Sequence, residues 1–143
     1  MTTQREKLLV DRKSLESRGY QIDRDNAIKP NAGSETDGHI HAKVATARVL
    51  WANGFKIDTE VPLKRNGSER YLDLLGYGCV GRNPVGIELE TDLTDEKEER
   101  YRELYHVEPM KEIYCINLNS LSWDCRKMAV RIAEKLGLDY QYS

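Results

Sequence analysis

The chain has 143 residues, a length that suits one domain with a real hydrophobic core. Charged residues make up 32% of it, but acids and bases nearly balance and leave a formal net charge of -2. This balance excludes a generally basic nucleic-acid-binding protein, so a nucleic-acid partner would have to meet a local basic patch.

Cysteine usage and hydropathy indicate a protein of the cytoplasm. The three cysteines, Cys79, Cys115 and Cys125, are odd in number and lack metal-type spacing, which favours reduced thiols. No apolar stretch is long enough to cross a bilayer, and the start, MTTQREKLLV, has no continuous signal-peptide core. We therefore expect a cytoplasmic protein without a membrane partner.

The N-terminal part of the chain reads as an arm. Residues 3–18 are predicted to form a helix with a thin apolar stripe, which indicates an accessory helix docked on the domain or on a partner. Residues 20–28 are expected to be extended, and the polar stretch 30–38 is the expected boundary. We predict an N-terminal helix and linker over residues 1–34 and a core domain over residues 35–143.

The first half of the core contains one helix and three strands. Apolar residues recur at helical spacing over 39–53, and a strand is predicted over 55–63. Asn66-Gly67 is a strong two-residue hairpin signal, so the chain should return as a strand over 69–78. After a glycine-containing turn, a third strand is predicted over 85–90.

The second half contains helix, strand and helix. A helix is predicted over 94–106, and the apolar run 112–118 predicts a central strand buried on both faces. The last helix is predicted over 122–136. Trp51 and Trp123 lie in or beside apolar stripes, so we expect them in the core rather than stacked on bases.

The order of these elements predicts an α/β fold. The connection from strand 85–90 through a helix to strand 112–118 is a βαβ unit, whose two strands should be parallel. With the two hairpin-like steps before it, this gives an αβββαβα order and a mixed sheet flanked by helices.

Three acids interrupt the apolar strands. An unpaired buried carboxylate is expensive, so Asp73, Glu88 and Glu90 need an explanation. Glu88 and Glu90 share one face of their strand because side chains repeat every two residues. If that strand neighbours the one with Asp73, the three carboxylates can converge on a Mg²⁺ or Mn²⁺ ion. Alternatively, the acids line a solvated face or pair with Arg or Lys.

With this order and these acids, residues 35–136 resemble the PD-(D/E)XK, or restriction-endonuclease-like, nuclease superfamily. The family pattern has an acid on the second core strand, matched by Asp73, and Glu-x-Lys on the third, matched at Glu88. The position of the family lysine holds Glu90. The acid of the first helix corresponds to Glu35 or, in its stead, to His39.

The resemblance implies a metal-dependent hydrolysis of phosphodiester bonds. Asp73 and Glu88, with the carbonyl oxygen of Leu89, would hold the metal ion. Glu90 would complete the metal shell or orient and deprotonate the attacking water. Since some family members recruit a lysine from elsewhere, Lys97, or second to it Lys43, would offset charge on the phosphate.

Basic residues cluster around the hairpins and suggest a surface for a nucleic-acid backbone. A solvated rim is the alternative. We expect nucleic-acid contacts from Lys43 on the first core helix and from the cluster itself, which consists of Lys56, Lys64, Arg65, Arg70 and Arg82.

These observations lead to three hypotheses. The first is a DNA endonuclease, restriction-type or junction-resolving, that acts as a homodimer because one small domain usually needs a twin to cut both strands. The second is a nuclease fold without catalysis that binds nucleic acid or a protein partner, which Glu90 at the lysine position and the weak net charge favour. The third is a structural protein that uses its N-terminal helix as an interaction arm.

Overall fold

The computed structural model describes residues 1–31 and 35–141. Within them the chain forms four helices, four strands and one turn of 3-10 helix at Leu118–Ser120. In chain order these are α1 (Gln4–Ser17), α2 (Asp37–Ala52), β1 (Lys56–Arg65), β2 (Ser68–Tyr77), β3 (Val85–Glu90), α3 (Asp95–Tyr105), β4 (Ile113–Asn117) and α4 (Cys125–Leu136).

The strands form one mixed sheet in the order β1-β2-β3-β4. β1 and β2 are antiparallel, β2 and β3 are antiparallel, and β3 and β4 are parallel. The predicted α/β class and mixed sheet are therefore confirmed. Asn66 and Gly67 both have positive φ, 50° and 78°, as a tight hairpin turn between right-twisted strands requires.

Helices cover both faces of this sheet. One apolar layer joins α2 and α4 to Ile87 and Leu89 of β3. The other layer contains Leu15 of α1, Tyr105 of α3 and Ile113 of β4. The helix α1 therefore packs against the same side of the sheet as α3.

The N-terminal segment is tied to the sheet by hydrogen bonds as well as by packing. The buried Asp11 accepts a 2.8 Å hydrogen bond from the backbone N–H of Gly78. Gly78 has a φ of 75°, and a Cβ there would lie 2.6 Å from Leu8, so this close approach requires glycine. Farther on, Gln21 N–H donates to the Pro62 carbonyl and Lys29 N–H to the Thr59 hydroxyl. The segment thus runs beside β1, while the division at residue 34 stays a prediction.

Two predicted elements differ from the structure. Among the described residues, the strand β4 pairs only with β3 and lies at the edge of the sheet, not at its centre. Its residues are apolar because both apolar layers pack against it. Hydrophobicity reports this packing and not whether a strand has one or two hydrogen-bonded neighbours. The last helix begins at Cys125 rather than at residue 122, because the Asp124 carboxylate caps it by accepting from Arg126 and Lys127 N–H.

If α1 belongs to the folded core, removing a buried side chain from it must destabilise the whole protein. We expect Leu15→Ala, at a fully buried position, to lower the free energy of unfolding by about 2–5 kcal/mol. Leu9→Ala, at an exposed position of the same helix, should change it by less than about 0.5 kcal/mol. Urea unfolding followed by circular dichroism measures both; equal effects would contradict the packing described.

Candidate functional site

The sheet opens at Asp73. The paired register of β2 and β3 runs from Gly76 opposite Val85 to Leu74 opposite Ile87 and ends there. Glu60, on the neighbouring strand β1, has a φ of 49°, which an L-residue rarely adopts. The strands β2 and β3 therefore separate where β2 carries Asp73 and β3 carries Glu88.

Side chains replace the ladder hydrogen bonds at this point. The Asp73 N–H donates to Oε1 of Glu88 over 3.0 Å, and the Leu89 N–H donates to Oδ2 of Asp73 over 2.7 Å. Each carboxylate is thus fixed by the backbone of the opposite strand. The side chains of Asp73 and Glu88 meet, as predicted from neighbouring strands.

The two acids share an environment that disfavours their charge. Burial raises the pKa of Asp73 to about 6, and the Glu60 charge adds to this, against the lowering effects of the Leu89 N–H, His39 and Lys43. Burial, followed by repulsion from Asp73, holds the pKa of Glu88 well above its ordinary value. Glu88 is only 7% exposed. The pair therefore holds a proton or attracts a cation.

Glu90 is turned toward α3. Its Oε2 accepts a 2.5 Å hydrogen bond from the Tyr101 hydroxyl, and its Oε1 lies 3.6 Å from Nζ of Lys97. Burial acts to raise the pKa of Glu90, but the Tyr101 hydrogen bond and the Lys97 charge outweigh it and lower the pKa. Lys97, the predicted catalytic lysine, lies beside Glu90 and also donates to the Asp92 carbonyl over 3.1 Å.

The expected meeting of all three carboxylates at one point is therefore not found. Among residues 1–31 and 35–141, no three His, Cys, Asp or Glu side chains are grouped so that they could hold a metal ion. The reason is local, because Glu90 ends its strand within reach of Tyr101 and Lys97 on the following helix. Asp73 and Glu88 remain as a pair.

Lys43 lies inside the protein, with 1% of its side chain exposed. Its ammonium group donates to Glu35, to Oε1 of Glu60 over 3.0 Å and to the Lys29 carbonyl over 2.9 Å. Burial alone would lower the pKa of Lys43, but these acids reverse the effect and raise it. This position does not suit direct contact with a nucleic-acid backbone, the role predicted for it.

His39, rather than Glu35, reaches the strand with the acids. Its Nε2 lies 2.9 Å from the Leu89 carbonyl oxygen, which can only accept, so Nε2 donates. Its Nδ1 lies 3.1 Å from the Thr36 hydroxyl, which fixes the ring. Both backbone polar groups of Leu89 thus have side-chain partners, the N–H in Asp73 and the C=O in His39.

Glu60 is the residue that the sequence analysis missed. It pairs with the buried Lys43 and raises the pKa of both Asp73 and Glu88. Its signal was present, since it stands between Thr59 and Val61 in a strand, as Asp73 stands between two leucines. Like Asp73, Glu60 is an acid within an apolar strand pattern and needs a partner for its charge.

Of the other predicted nucleic-acid residues, Lys64, Arg65 and Arg70 lie near the β1–β2 turn, whereas Lys56 and Arg82 lie at the opposite end of these strands. Lys64 is exposed and lies 3.6 Å from Glu69. Arg65 donates to the Leu104 and His106 carbonyls over 3.4 and 3.2 Å, so it binds the end of α3. Arg70 and Arg65 both line a small cleft of about 160 Å³. The group is basic and accessible, but Arg65 also has a structural partner.

Asp73 and Glu88 suit a magnesium or manganese ion. Mg²⁺ is commonly bound by one or two carboxylates, with water and substrate phosphates completing its shell. A cation between the half-buried Asp73 and the buried Glu88 would offset the burial and the charge repulsion that raise their pKa values. The oxygen donors and their charge therefore fit the group, with two protein carboxylates instead of three.

No family model, curated protein or solved structure matches the chain. Within residues 1–31 and 35–141, every helix is too short or too polar to cross a membrane. The fold and site define an α/β protein in which the buried Glu88 and the half-buried Asp73 meet where two strands separate.

The raised pKa values of Asp73 and Glu88 predict that neutralising one acid stabilises the protein. Because the folded-state pKa values lie above the unfolded ones, the folded state binds more protons, and stability falls as pH rises from 3.8 through about 6. Glu88→Gln should therefore raise the free energy of unfolding by about 1–2 kcal/mol near pH 8 and by less near pH 5. Urea unfolding in EDTA measures this.

The exposed Glu99 provides a matched control, and Glu99→Gln should change stability by less than about 0.5 kcal/mol at either pH. A Glu88→Gln protein that is less stable than the wild type near pH 8 would contradict the charge repulsion at this pair.

Lys43 should be essential for stability because its removal leaves Glu35 and Glu60 without their cation. We expect Lys43→Met to lower the free energy of unfolding by about 3–5 kcal/mol. Lys64→Met, at an exposed ion pair, should lower it by less than about 1 kcal/mol. Thermal and urea unfolding of the two variants decide between a structural and a peripheral lysine.

Proposed function

We propose that this protein is a metal-dependent endonuclease that hydrolyses phosphodiester bonds in DNA, with Asp73 and Glu88 as ligands of Mg²⁺ or Mn²⁺. The observation that carries the proposal is the pair itself. Two carboxylates share a buried position where β2 and β3 separate, and each is held by the backbone of the opposite strand. Such a pair is unfavourable unless a cation or a proton joins it.

The order of the elements supports this proposal. After α1 the chain runs αβββαβα, and β2 alone is antiparallel to the other three strands. Asp73 and Glu88 lie on the second and third strands of this order, where the PD-(D/E)XK pattern places its acids. The departure lies at Glu90, which occupies the position of the family lysine.

In the proposed mechanism, Asp73 and Glu88 would hold the ion, and the Leu89 N–H keeps Asp73 in place. A bound Mg²⁺ or Mn²⁺ would supply Lewis-acid chemistry at the scissile phosphate. Glu90 stays ionised at neutral pH, since Tyr101 and Lys97 lower its pKa, and would orient the attacking water or take its proton. Lys97 stabilises charge on the phosphate, and Lys43 partly offsets the acids from inside the protein.

The DNA backbone would contact Lys64, Arg65 and Arg70 at the hairpin. Their guanidinium and ammonium groups supply the local positive charge that a net charge of -2 does not. We further propose a homodimer, since one site cuts one strand. Light scattering at several concentrations measures the oligomeric state.

A second function is favoured by the state of the lysines. Lys43 is paired with Glu35 and Glu60, and Lys97 lies next to Glu90. A protein of this fold whose lysines are committed to structure would bind nucleic acid or a protein partner without cutting. The cleavage experiment separates the two functions.

The proposal predicts metal-dependent nicking of DNA. Wild-type protein should cut supercoiled or branched DNA with Mg²⁺ or Mn²⁺ and not with EDTA. Asp73→Asn and Glu88→Gln should each lower the rate by about 100-fold or more, because each removes a ligand of the ion. Glu99→Gln, on the exposed side of α3, is the control and should cut at the wild-type rate.

Metal binding can be followed separately by thermal unfolding. Mn²⁺ should raise the melting temperature of the wild type and not that of Glu88→Gln, since an ion that binds only the folded state stabilises it. Metal binding without cutting would favour the inactive module. A protein that shows no metal binding and no cutting would overturn the proposed site.

A further inference from the structure

A cleft of about 420 Å³ opens at the end of β3. One wall is the start of α2 and another is the segment between β4 and α4. Its lining combines apolar side chains with a few polar groups, as small-molecule pockets do. Its lining includes Asp37, Gly38, Thr91, Asn119 and Trp123.

Trp123 gives this cleft an aromatic surface. The side chain was expected in the core but is 67% exposed, because Asp124 begins α4 after it and leaves Trp123 in the preceding loop. Its ring meets that of His41 edge to face at 5.7 Å between centroids, which holds the indole in place. Gly38 lies against it, since a Cβ at that position would be 3.4 Å from the indole.

The polar groups of the cleft favour a neutral partner over a phosphate. The Asn119 amide donates to the Thr91 carbonyl over 2.6 Å, which fixes its orientation. Asp92, near the same amide, and Asp37, in the lining, bring negative charge. A phosphate would be repelled, whereas a base can donate its N–H groups to such acceptors and stack on the indole.

Two contacts at Leu89 link the start of α2, which lines the cleft, to Asp73. Gly38 precedes His39, whose ring contacts the Leu89 carbonyl, and the Leu89 N–H binds Asp73. Thr91 in the cleft lies two residues beyond Leu89, which is about 7 Å along an extended chain. A strand whose phosphate lies at Asp73 and Glu88 would therefore pass the end of β3 toward the cleft that Thr91 and Trp123 line.

We propose that this cleft binds one unpaired nucleobase, stacked on Trp123, next to the phosphodiester bond addressed by Asp73 and Glu88. The inference rests on the proposed function and narrows its substrate class. A base in an intact duplex is stacked on both sides and paired, so it cannot enter the cleft. The substrate is then a single-stranded or branched nucleic acid with an exposed base.

The test measures binding of a fluorescent single-stranded oligothymidylate by anisotropy. The double variant Asp73→Asn/Glu88→Gln serves as the parent protein, because it cannot cut and lacks the charges that repel phosphate. Adding Trp123→Ala should weaken binding by about 5- to 100-fold, while Trp123→Phe retains most of the affinity. Trp51→Ala, outside the cleft lining, is the matched control and should bind like the parent.

An abasic site, moved along the oligonucleotide, distinguishes stacking from a loss of fold. The parent should lose affinity at one position of the abasic site, and Trp123→Ala should be insensitive at that position. If Trp123→Ala bound the intact and the abasic oligonucleotide more weakly than the parent by the same factor, the inference would be overturned. Unchanged binding by Trp123→Ala, or a parent that binds duplex as tightly as single strand, would also overturn it.

The two proposals fail separately. If the wild type cuts DNA with a metal ion and Trp123→Ala cuts at the same rate, the nuclease proposal stands and the base-binding proposal fails. Binding that depends on Trp123 and on the base, without cutting under any metal, retains the cleft and removes the nuclease.

Discussion

The rest of the site depends on the contact between Asp73 and Glu88. Asp73 accepts a hydrogen bond from the Leu89 N–H, and Glu88 accepts one from the Asp73 N–H, where the pairing of β2 with β3 ends. Burial disfavours the charged form of both acids, and the charge of Glu60 at Asp73 and of Asp73 at Glu88 adds to the rise of their pKa values. A chain selected only for stability would place apolar residues here. Under the proposed function, a bound cation relieves this conflict.

Compensating charge comes from the opposite side of the opened strands. The buried Lys43 lowers the pKa of Asp73, but it also binds Glu35, Glu60 and the Lys29 carbonyl. That carbonyl belongs to the N-terminal segment, which is held along β1 through Thr59. The segment therefore contributes to the electrostatics of the acids as well as to the second apolar layer. An arm that was detached from the domain could do neither.

The site extends in two directions from Leu89. On one side Glu90, Tyr101 and Lys97 form a hydrogen-bonded group with a lowered carboxylate pKa. On the other side His39 leads to the cleft with Trp123. One strand thus separates a polar, hydrogen-bonded region from an aromatic one. Under the two proposals, the first region takes part in the chemistry and the second in substrate recognition.

The sequence by itself determined the elements, their order and the meeting of Asp73 with Glu88. Periodicity, the Asn66-Gly67 turn and the βαβ connection are local signals, and each fixes a neighbour relation. Only the tertiary structure decided the rest. The direction of Glu90 depends on α3, the edge position of β4 depends on which strands pair, and the exposure of Trp123 follows from where Asp124 caps α4. These outcomes reflect contacts between distant segments, which no short-range pattern encodes.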